Sequence, residues 1–416
     1  MSQTQTNQKS SVVQKLKNMG PAAIICASIV GPGTVTTASL AGINYKYALL
    51  WAVLFSAIST GILQLMTSRL GIITKRGLAE NIRLMYEGSW LKVLFTVIII
   101  FAIGVGNSAY QGGNISGSIM GLSTVFGGTK LLWSVTITVI VFGMLWTGSY
   151  DYIEKLMTAL VGIMIFLFVV TAVVVKPNIG ELLNGLLIPK IPKGGLLIAM
   201  GVIGTTVVPH VVFLHSAITA KKWNVDNVEE ALDQNRFDTL FNITITGLIT
   251  MAIVITGAAL FGSGIETKSS LDLAKQLEPL VGTWAKYFFG FGIFAAGISS
   301  AAVAPMSAAL AIAGILGWST DLKDKKFRIL WIFVLLCGFV VASTGINPIQ
   351  IILVAQTFNG ILLPLTAIIL LLAMNKKEFL GKYVNTRTQN IVGILIICVT
   401  IVLGCRSLYT VILNFL

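Results

Sequence analysis

The sequence is poor in charge. Only 11% of its 416 residues are Asp, Glu, Lys or Arg, whereas 55% are hydrophobic, and roughly 25% would be charged in an average soluble chain. The mean hydropathy is +0.88. A soluble protein of this length could not hide so much apolar surface, because much of its exterior must face water. The composition therefore excludes an ordinary soluble domain and predicts a protein that is surrounded by lipid.

Chemically reactive groups are also scarce. The four cysteines, Cys26, Cys337, Cys398 and Cys405, lie in apolar segments without a CxxC pair, as small buried hydrophobic residues do. There are two histidines, and no nucleophile–base pair or metal-ligand cluster is recognisable in the sequence. These absences predict neither an enzyme nor a cofactor.

Basic residues give a formal net charge of +13, but they form no basic stripe with interleaved aromatic residues. They lie in short loops between apolar runs, which argues against a nucleic-acid partner. About two thirds of the 29 Lys and Arg residues fall in the N-terminal tail and in every second loop. This bias predicts a multi-pass plasma-membrane protein with a cytosolic N-terminus and, for an odd number of spans, a C-terminus outside.

Apolar runs of spanning length recur along the whole chain and predict an all-α membrane protein with eleven transmembrane helices. The predicted spans are 20–44, 47–70, 93–124, 131–149, 155–175, 196–218, 238–263, 283–317, 327–345, 348–374 and 390–414. Residues 1–18 are polar and lack the apolar core of a signal peptide, so they are expected to be a disordered cytosolic tail. Residues 19–416 then form one transmembrane domain.

Two spans contain residues that interrupt helices. The first carries Gly31, Pro32 and Gly33 at mid-depth, and the sixth carries Gly204 and Pro209. Such interruptions remove helix hydrogen bonds that lipid cannot replace, so they are tolerated where they line a cavity or pack inside protein. Two incidental proline kinks are the alternative explanation.

The two interrupted helices are the first and the sixth of the predicted spans. This spacing predicts two repeats of five spans with inverted topology, about 20–175 and 196–374, followed by an extra helix at about 390–414. Unwound segments free backbone N–H and C=O groups that can bind a substrate near the middle of the membrane. The sequence therefore predicts a secondary transporter that works by alternating access.

At these residues the chain resembles the Nramp family of proton-coupled importers of divalent transition metals. Residues 204–216 read G-T-T-V-V-P-H-V-V-F-L-H-S, which is similar to the family string G-A-T-V-M-P-H-N-L-Y-L-H-S. Further similar stretches are 64–71, 294–300, Arg236-Phe-Asp238, and Gln356 followed by Leu363-Pro364. The resemblance implies the inverted-repeat fold of amino-acid transporters, a metal-ion substrate and H⁺ as the coupling ion.

The chain departs from the family pattern at the metal site. The family's D-P-G-N stands here as Gly31-Pro32-Gly33-Thr34, and its A-x-x-M-P-H stands as Thr205 to His210, so that Val208 replaces a methionine. The resemblance implies substrate-binding positions at Gly31, Thr34, Thr205, Val208 and Gln356, and, where the family has acids on its third helix, Gln111 and Asn114. Of these, Thr34, Thr205 and Gln356 are the candidate metal ligands.

None of the 16 acidic residues falls in the middle of a predicted span. A dehydrated divalent cation would therefore have no formal negative charge near it, and an unpaired buried charge is costly. We expect a divalent cation that is bound weakly and keeps much of its water, as Mg²⁺ does. A small organic substrate (a carboxylate, an amino acid or a lactam) is the alternative, and a membrane sensor that transports nothing is a third reading.

Three residues at the breaks are candidates for gating or proton relay: Pro32, Pro209 and His210. His210 and His215 are five residues apart, about 140° around a helix, so a shared metal site is not expected. For both rings the alternative is a purely structural hydrogen bond. Arg236 and Asp238 are expected to form an ion pair at the membrane interface.

Overall fold

The computed structural model describes residues 28–147, 168–223, 227–264 and 269–415, together with Ile25, Cys26, Lys155, Gly162, Phe166 and Thr267. Within these residues every regular element is a helix. The predicted tail at 1–18 and most of the predicted fifth span lie outside the described residues.

The main helices follow one another from the first break to the C-terminus. They are α1 (Pro32–Tyr45), α2 (Leu50–Thr74), α3 (Leu78–Met85), α4 (Trp90–Phe126, with a π-helical turn at Ile100–Val105), α5 (Lys130–Trp146), α6 (Ile179–Leu187), α7 (Leu196–Thr206), α8 (Pro209–Lys222), α9 (Val228–Ala258), α10 (Ala285–Leu316), α11 (Lys325–Ser343), α12 (Pro348–Met374) and α13 (Arg387–Phe415). Short helical turns between Ser270 and Trp284 connect α9 to α10.

Eight stretches of the described chain are helical, long and apolar enough to cross a membrane, with α7 and α8 counted together as one. With α1 and α5 they correspond to every predicted span except the fifth. Large apolar side chains such as Ile58, Val97, Val139 and Val354 are exposed on the outside, whereas many Ser, Thr, Asn and Gln side chains are buried. This distribution suits a bundle whose exterior faces lipid.

Helix α9 begins ten residues before the predicted seventh span. The Asn227 side chain accepts a hydrogen bond from the Glu230 N–H and caps the helix, and Glu229 and Glu230 in the first turn favour its positive end. The apolar pattern detected only the part of the helix that enters the membrane. The polar turns before it are helical because of the cap.

Small residues let the broken helices pack closely on their neighbours. Gly42 of α1 lies against the backbone of Val254 in α9, and Gly71 of α2 lies against the Ser216 carbonyl of α8. Close approach through glycine is how membrane helices gain van der Waals contact where lipid supplies no hydrophobic force. The first span thus packs on the seventh, and the sixth packs on the second. In an inverted repeat of five spans these two contacts are equivalent, because the sixth span corresponds to the first and the seventh to the second.

Candidate functional site

Both predicted breaks are present in the structure. The first lies at Val30–Gly31, where Gly31 has extended backbone (φ −103°, ψ −173°) and Pro32 opens α1. The second lies at Val207–Val208, between the end of α7 and Pro209 at the start of α8.

Proline has no N–H, so each break leaves the carbonyl four residues earlier without its helical partner. At the first break this is the Ser28 carbonyl, and two other helices satisfy it. The Tyr110 hydroxyl of α4 donates at 3.1 Å and the Ser300 hydroxyl of α10 at 3.4 Å. Sequence reasoning missed Tyr110 and Ser300, although Pro32 in the sequence indicated that the Ser28 carbonyl would need a donor.

The two breaks are joined by a pair of threonine hydroxyls. Thr34 Oγ1 and Thr205 Oγ1 are 2.7 Å apart, and Thr34 Oγ1 also donates to the Ile29 carbonyl at 2.5 Å. The Thr34 hydroxyl has a single proton, which it donates to Ile29, so in the bond between the two threonines Thr205 is the donor and Thr34 the acceptor. Both side chains are fully buried. The predicted convergence of Thr34 and Thr205 is therefore present in the structure.

Gln356 of α12 reaches both breaks. Its side-chain amide lies against Gly33, where a Cβ atom would overlap it, and its backbone carbonyl lies against Gly204. Gln356 Oε1 is buried and has no hydrogen-bond partner in the described part of the protein. A buried acceptor without a partner is rare and is a position where an ion, a water or a ligand group can bind once the site opens.

Gln111 and Asn114, the two predicted positions on α4, lie where α4 meets α10. Gln111 Nε2 donates to the Ala301 carbonyl of α10 at 3.0 Å, and Asn114 Nδ2 lies 3.5 Å from Gln111 Oε1. Pro305 lies inside α10 and deprives that carbonyl of its helical donor. These contacts place both amides between α4 and α10, whereas the threonine pair and Gln356 lie at the breaks. The assignment of Gln111 and Asn114 to the substrate site stays a prediction.

The two histidines also have separate surroundings. His210 Nε2 is 3.5 Å from Ser28 Oγ, and the His210 ring centroid is 5.1 Å from that of Tyr110. His215 Nδ1 is 2.7 Å from Gln64 Oε1 on α2. Among the described residues no group of three or more His, Cys, Asp or Glu side chains could hold a metal ion.

The remaining predicted position, Val208, precedes α8 as its N-cap residue and is buried. Its side chain has no ligand atom. Among the predicted positions, the side-chain ligand atoms at the breaks are thus neutral oxygens: the hydroxyls of Thr34 and Thr205 and the carboxamide Oε1 of Gln356. Thr34, Thr205 and Gln356 are at most 1% exposed. In the described part of the protein, no water-sized opening therefore reaches these three side chains.

Comparison with known proteins extends over nearly the whole chain. A family model described as "Natural resistance-associated macrophage protein-like" matches residues 22–410. Proteins named divalent metal cation transporter MntH are 29% identical over 402 residues in Yersinia pestis, covering 95% of each chain, and 30% identical over 410 residues in Erwinia tasmaniensis, covering 96% of each.

Solved structures share the fold. A mutant of the manganese transporter of Eremococcus coleocola superposes with a TM-score of 0.81 at 22% identity, covering 99% of this chain and 90% of the other. MhsT in complex with L-phenylalanine gives a TM-score of 0.62 at 14% identity, covering 93% of this chain and 97% of the other. The overall fold is therefore shared by a manganese transporter and by a protein that binds an amino acid.

Proposed function

The chain belongs to the Nramp family, and from this premise we propose that it is a secondary transporter that imports a divalent metal cation across the plasma membrane by alternating access. Relatives that match 95% of the chain are named divalent metal cation transporters, which supports this substrate class. The orientation with a cytosolic N-terminus and an external C-terminus belongs to the same proposal.

The observation that carries the proposal is the unpartnered Gln356 Oε1 beside the Thr34–Thr205 pair. Amide and hydroxyl oxygens are ligands for hard cations such as Mg²⁺ and Mn²⁺. With no carboxylate or thioether at these positions, the site offers oxygens but no formal charge and no soft ligand. An ion that keeps several of its waters suits such a site, because its charge is never fully desolvated.

The gating step follows from the two breaks. The Thr34–Thr205 bond joins α1 to α7, and the Ser28–His210 contact joins the segment before α1 to α8. Opening toward either side of the membrane requires one of these contacts to separate, so the half-helices can act as inner and outer gates. We propose Pro32 and Pro209 as the fixed ends of the moving half-helices.

A coupling proton would need a different carrier from that of the family. Gln111 and Asn114, at the family's acidic positions, do not titrate and are engaged between α4 and α10. His210 contacts the first break and can bind a proton when water reaches it. We therefore assign the proton-relay role, and the H⁺ coupling that depends on it, to His210.

A small organic substrate is the second candidate function. The N-terminal ends of α1 and α8 both lie at the breaks, and helix N-termini favour anions. The carboxylate that would repel such an anion in a typical family member is absent at Gly31. A carboxylate, amino acid or lactam would therefore meet N–H groups without a nearby negative charge.

Thermal stability of the purified protein distinguishes the two candidates. A ligand that binds only the folded protein stabilises it by about 2.7 kcal/mol at a concentration of 100 Kd. We expect a rise in melting temperature with Mg²⁺ or Mn²⁺, and uptake of the same ion into proteoliposomes. Stabilisation by an organic ligand, with neither stabilisation nor uptake of any divalent cation, would reject the metal and establish the second function.

A further inference from the structure

A groove of about 370 Å³ runs between α2 and α9 on the outer surface of the bundle. Its lining is almost wholly apolar and includes Ile58 and Leu248, whose side chains are 55% and 56% exposed. The buried Thr60 and Gln64 of α2 bond to α7 and α8 instead. The groove therefore faces the lipid and is separate from the candidate substrate site.

Two of the residues that line the groove are glycines. A Cβ at Gly61 would meet only Ile243, at 3.8 Å, and a Cβ at Gly247 would lie 3.2 Å from Ala57. The lining residues of α2 extend from Leu54 to Leu65, about 16 Å at 1.5 Å per residue, roughly half of the ~30 Å hydrocarbon core. This is the depth of one leaflet, so the groove has the length of a single lipid acyl chain.

One end of the groove carries a cation. Arg236 lies one helical turn before Leu240, which lines the groove, so both residues share a face of α9. The Arg236 side chain is exposed and bonds to no carboxylate in the described part of the chain. The expected Arg236–Asp238 pair is therefore wrong: Asp238 is buried, and its carboxylate accepts from Asn242 Nδ2 at 3.0 Å.

The reason is helical geometry. Residues two apart project about 200° from each other, so Asp238 points into the bundle while Arg236 points to the surface. A guanidinium at the end of an apolar groove matches the phosphate of a lipid whose chain fills that groove.

We propose that the α2–α9 groove and Arg236 together form a binding site for one anionic phospholipid. One acyl chain lies in the groove along Gly61 and Gly247, and the phosphate pairs with the Arg236 guanidinium. An anionic headgroup is favoured over a zwitterionic one because it carries no cation to compete with the arginine. The site is independent of the transport proposal, since it uses none of the residues at the breaks.

Native mass spectrometry of the purified full chain, titrated with phosphatidylglycerol or phosphatidylcholine, tests the site. We expect the first phosphatidylglycerol to bind more tightly than phosphatidylcholine. Arg236→Gln should weaken it about fivefold, and Gly61→Leu should weaken both lipids by filling the groove. Lys325→Gln removes another exposed cation, and Gly143→Leu adds a side chain at a lipid-facing glycine with open space around it. These two controls should bind phosphatidylglycerol like the wild type.

Arg236→Lys keeps the charge and should retain most of the preference for phosphatidylglycerol. Melting temperatures of all variants establish that they are folded before their lipid affinities are compared. The proposal is overturned if phosphatidylcholine binds the wild type as tightly as phosphatidylglycerol. It is equally overturned if Arg236→Gln and Gly61→Leu bind phosphatidylglycerol no more weakly than their two controls.

Discussion

The Gln111 amide and the Ala301 carbonyl form a 3.0 Å hydrogen bond that compensates for a proline one helical turn away. Pro305 supplies no N–H to Ala301, and Gln111 on α4 supplies one in its place. A position that is acidic in the family is thus occupied here by a donor that repairs a helix. The Ser28 carbonyl is satisfied in the same way. Pro32 has no N–H to donate to it, and the hydroxyls of Tyr110 and Ser300 donate instead.

The Gln111–Pro305 relationship predicts a rescue. Gln111→Met should destabilise the protein by about 1–3 kcal/mol, because it leaves the buried Ala301 carbonyl without a donor. Pro305→Ala restores an N–H within α10, so the same Gln111 change should be less damaging in that background. Melting temperatures of the four proteins form a double-mutant cycle. An equal loss in both backgrounds would show that Gln111 does not stabilise the protein through its bond to the Ala301 carbonyl.

Thr34 is predicted to be necessary for binding the substrate ion. Thr34→Val keeps the shape of the side chain but removes the hydroxyl that bonds to Ile29 and Thr205. Uptake of the stabilising cation into proteoliposomes should fall at least about tenfold, a loss of roughly 1.4 kcal/mol in binding. Thr400→Val is the matched control, since Thr400 is equally buried but bonds only within α13. Equal uptake by both variants would remove Thr34 from the site.

Restoring the family's carboxylate at Gly31 is predicted to need a second change. A Cβ at Gly31 would collide with the Ser300 hydroxyl and lie 3.1 Å from its Cβ. Gly31→Asp alone should therefore lower the melting temperature, and Gly31→Asp with Ser300→Gly should recover most of that loss.

The repaired double variant should also bind Mn²⁺ at least about tenfold more tightly than the wild type, since a carboxylate near the ion adds charge attraction that neutral oxygens lack. Isothermal titration with Mn²⁺ measures this, and Ser300→Gly alone is the reference. Unchanged Mn²⁺ affinity in the folded double variant would place the ion away from Gly31.

His210 is predicted to couple uptake to protons. His210→Gln keeps a polar side chain but cannot titrate, so stimulation of uptake by an inwardly directed proton gradient should disappear while exchange without a gradient continues. A pH-sensitive dye inside proteoliposomes records the accompanying proton flux. His215→Gln, on the other side of α8, serves as the comparison and should retain the stimulation. Proton-stimulated uptake in His210→Gln would assign coupling to another group.

Most of the fold could be predicted from the sequence because the signals are strong and local. Spans show themselves as apolar runs, and a proline or a pair of glycines in such a run indicates a break wherever it stands. The boundaries were less secure: α9 starts early because Asn227 caps polar turns that hydropathy does not detect.

The candidate site was only partly predictable. The Thr34–Thr205 contact and the approach of Gln356 to Gly33 agree with the resemblance. Tyr110 and Ser300 were missed because neither is unusual in its own helix, and each acquires a role only when α4 and α10 are placed beside the first break.

The sequence by itself determined that this protein lies in a membrane, where its helices break and that the candidate site lacks a carboxylate, because these properties depend on composition and on the chemistry of single residues. Only the tertiary structure decided which side chains donate to the carbonyls that the prolines leave without a helical partner, that Gln111 bonds to α10, and that Arg236 is exposed while Asp238 is buried in the bundle. Those outcomes depend on which helix faces meet, and residues 190 positions apart, such as Gln111 and Ala301, are brought together by packing that no local pattern records.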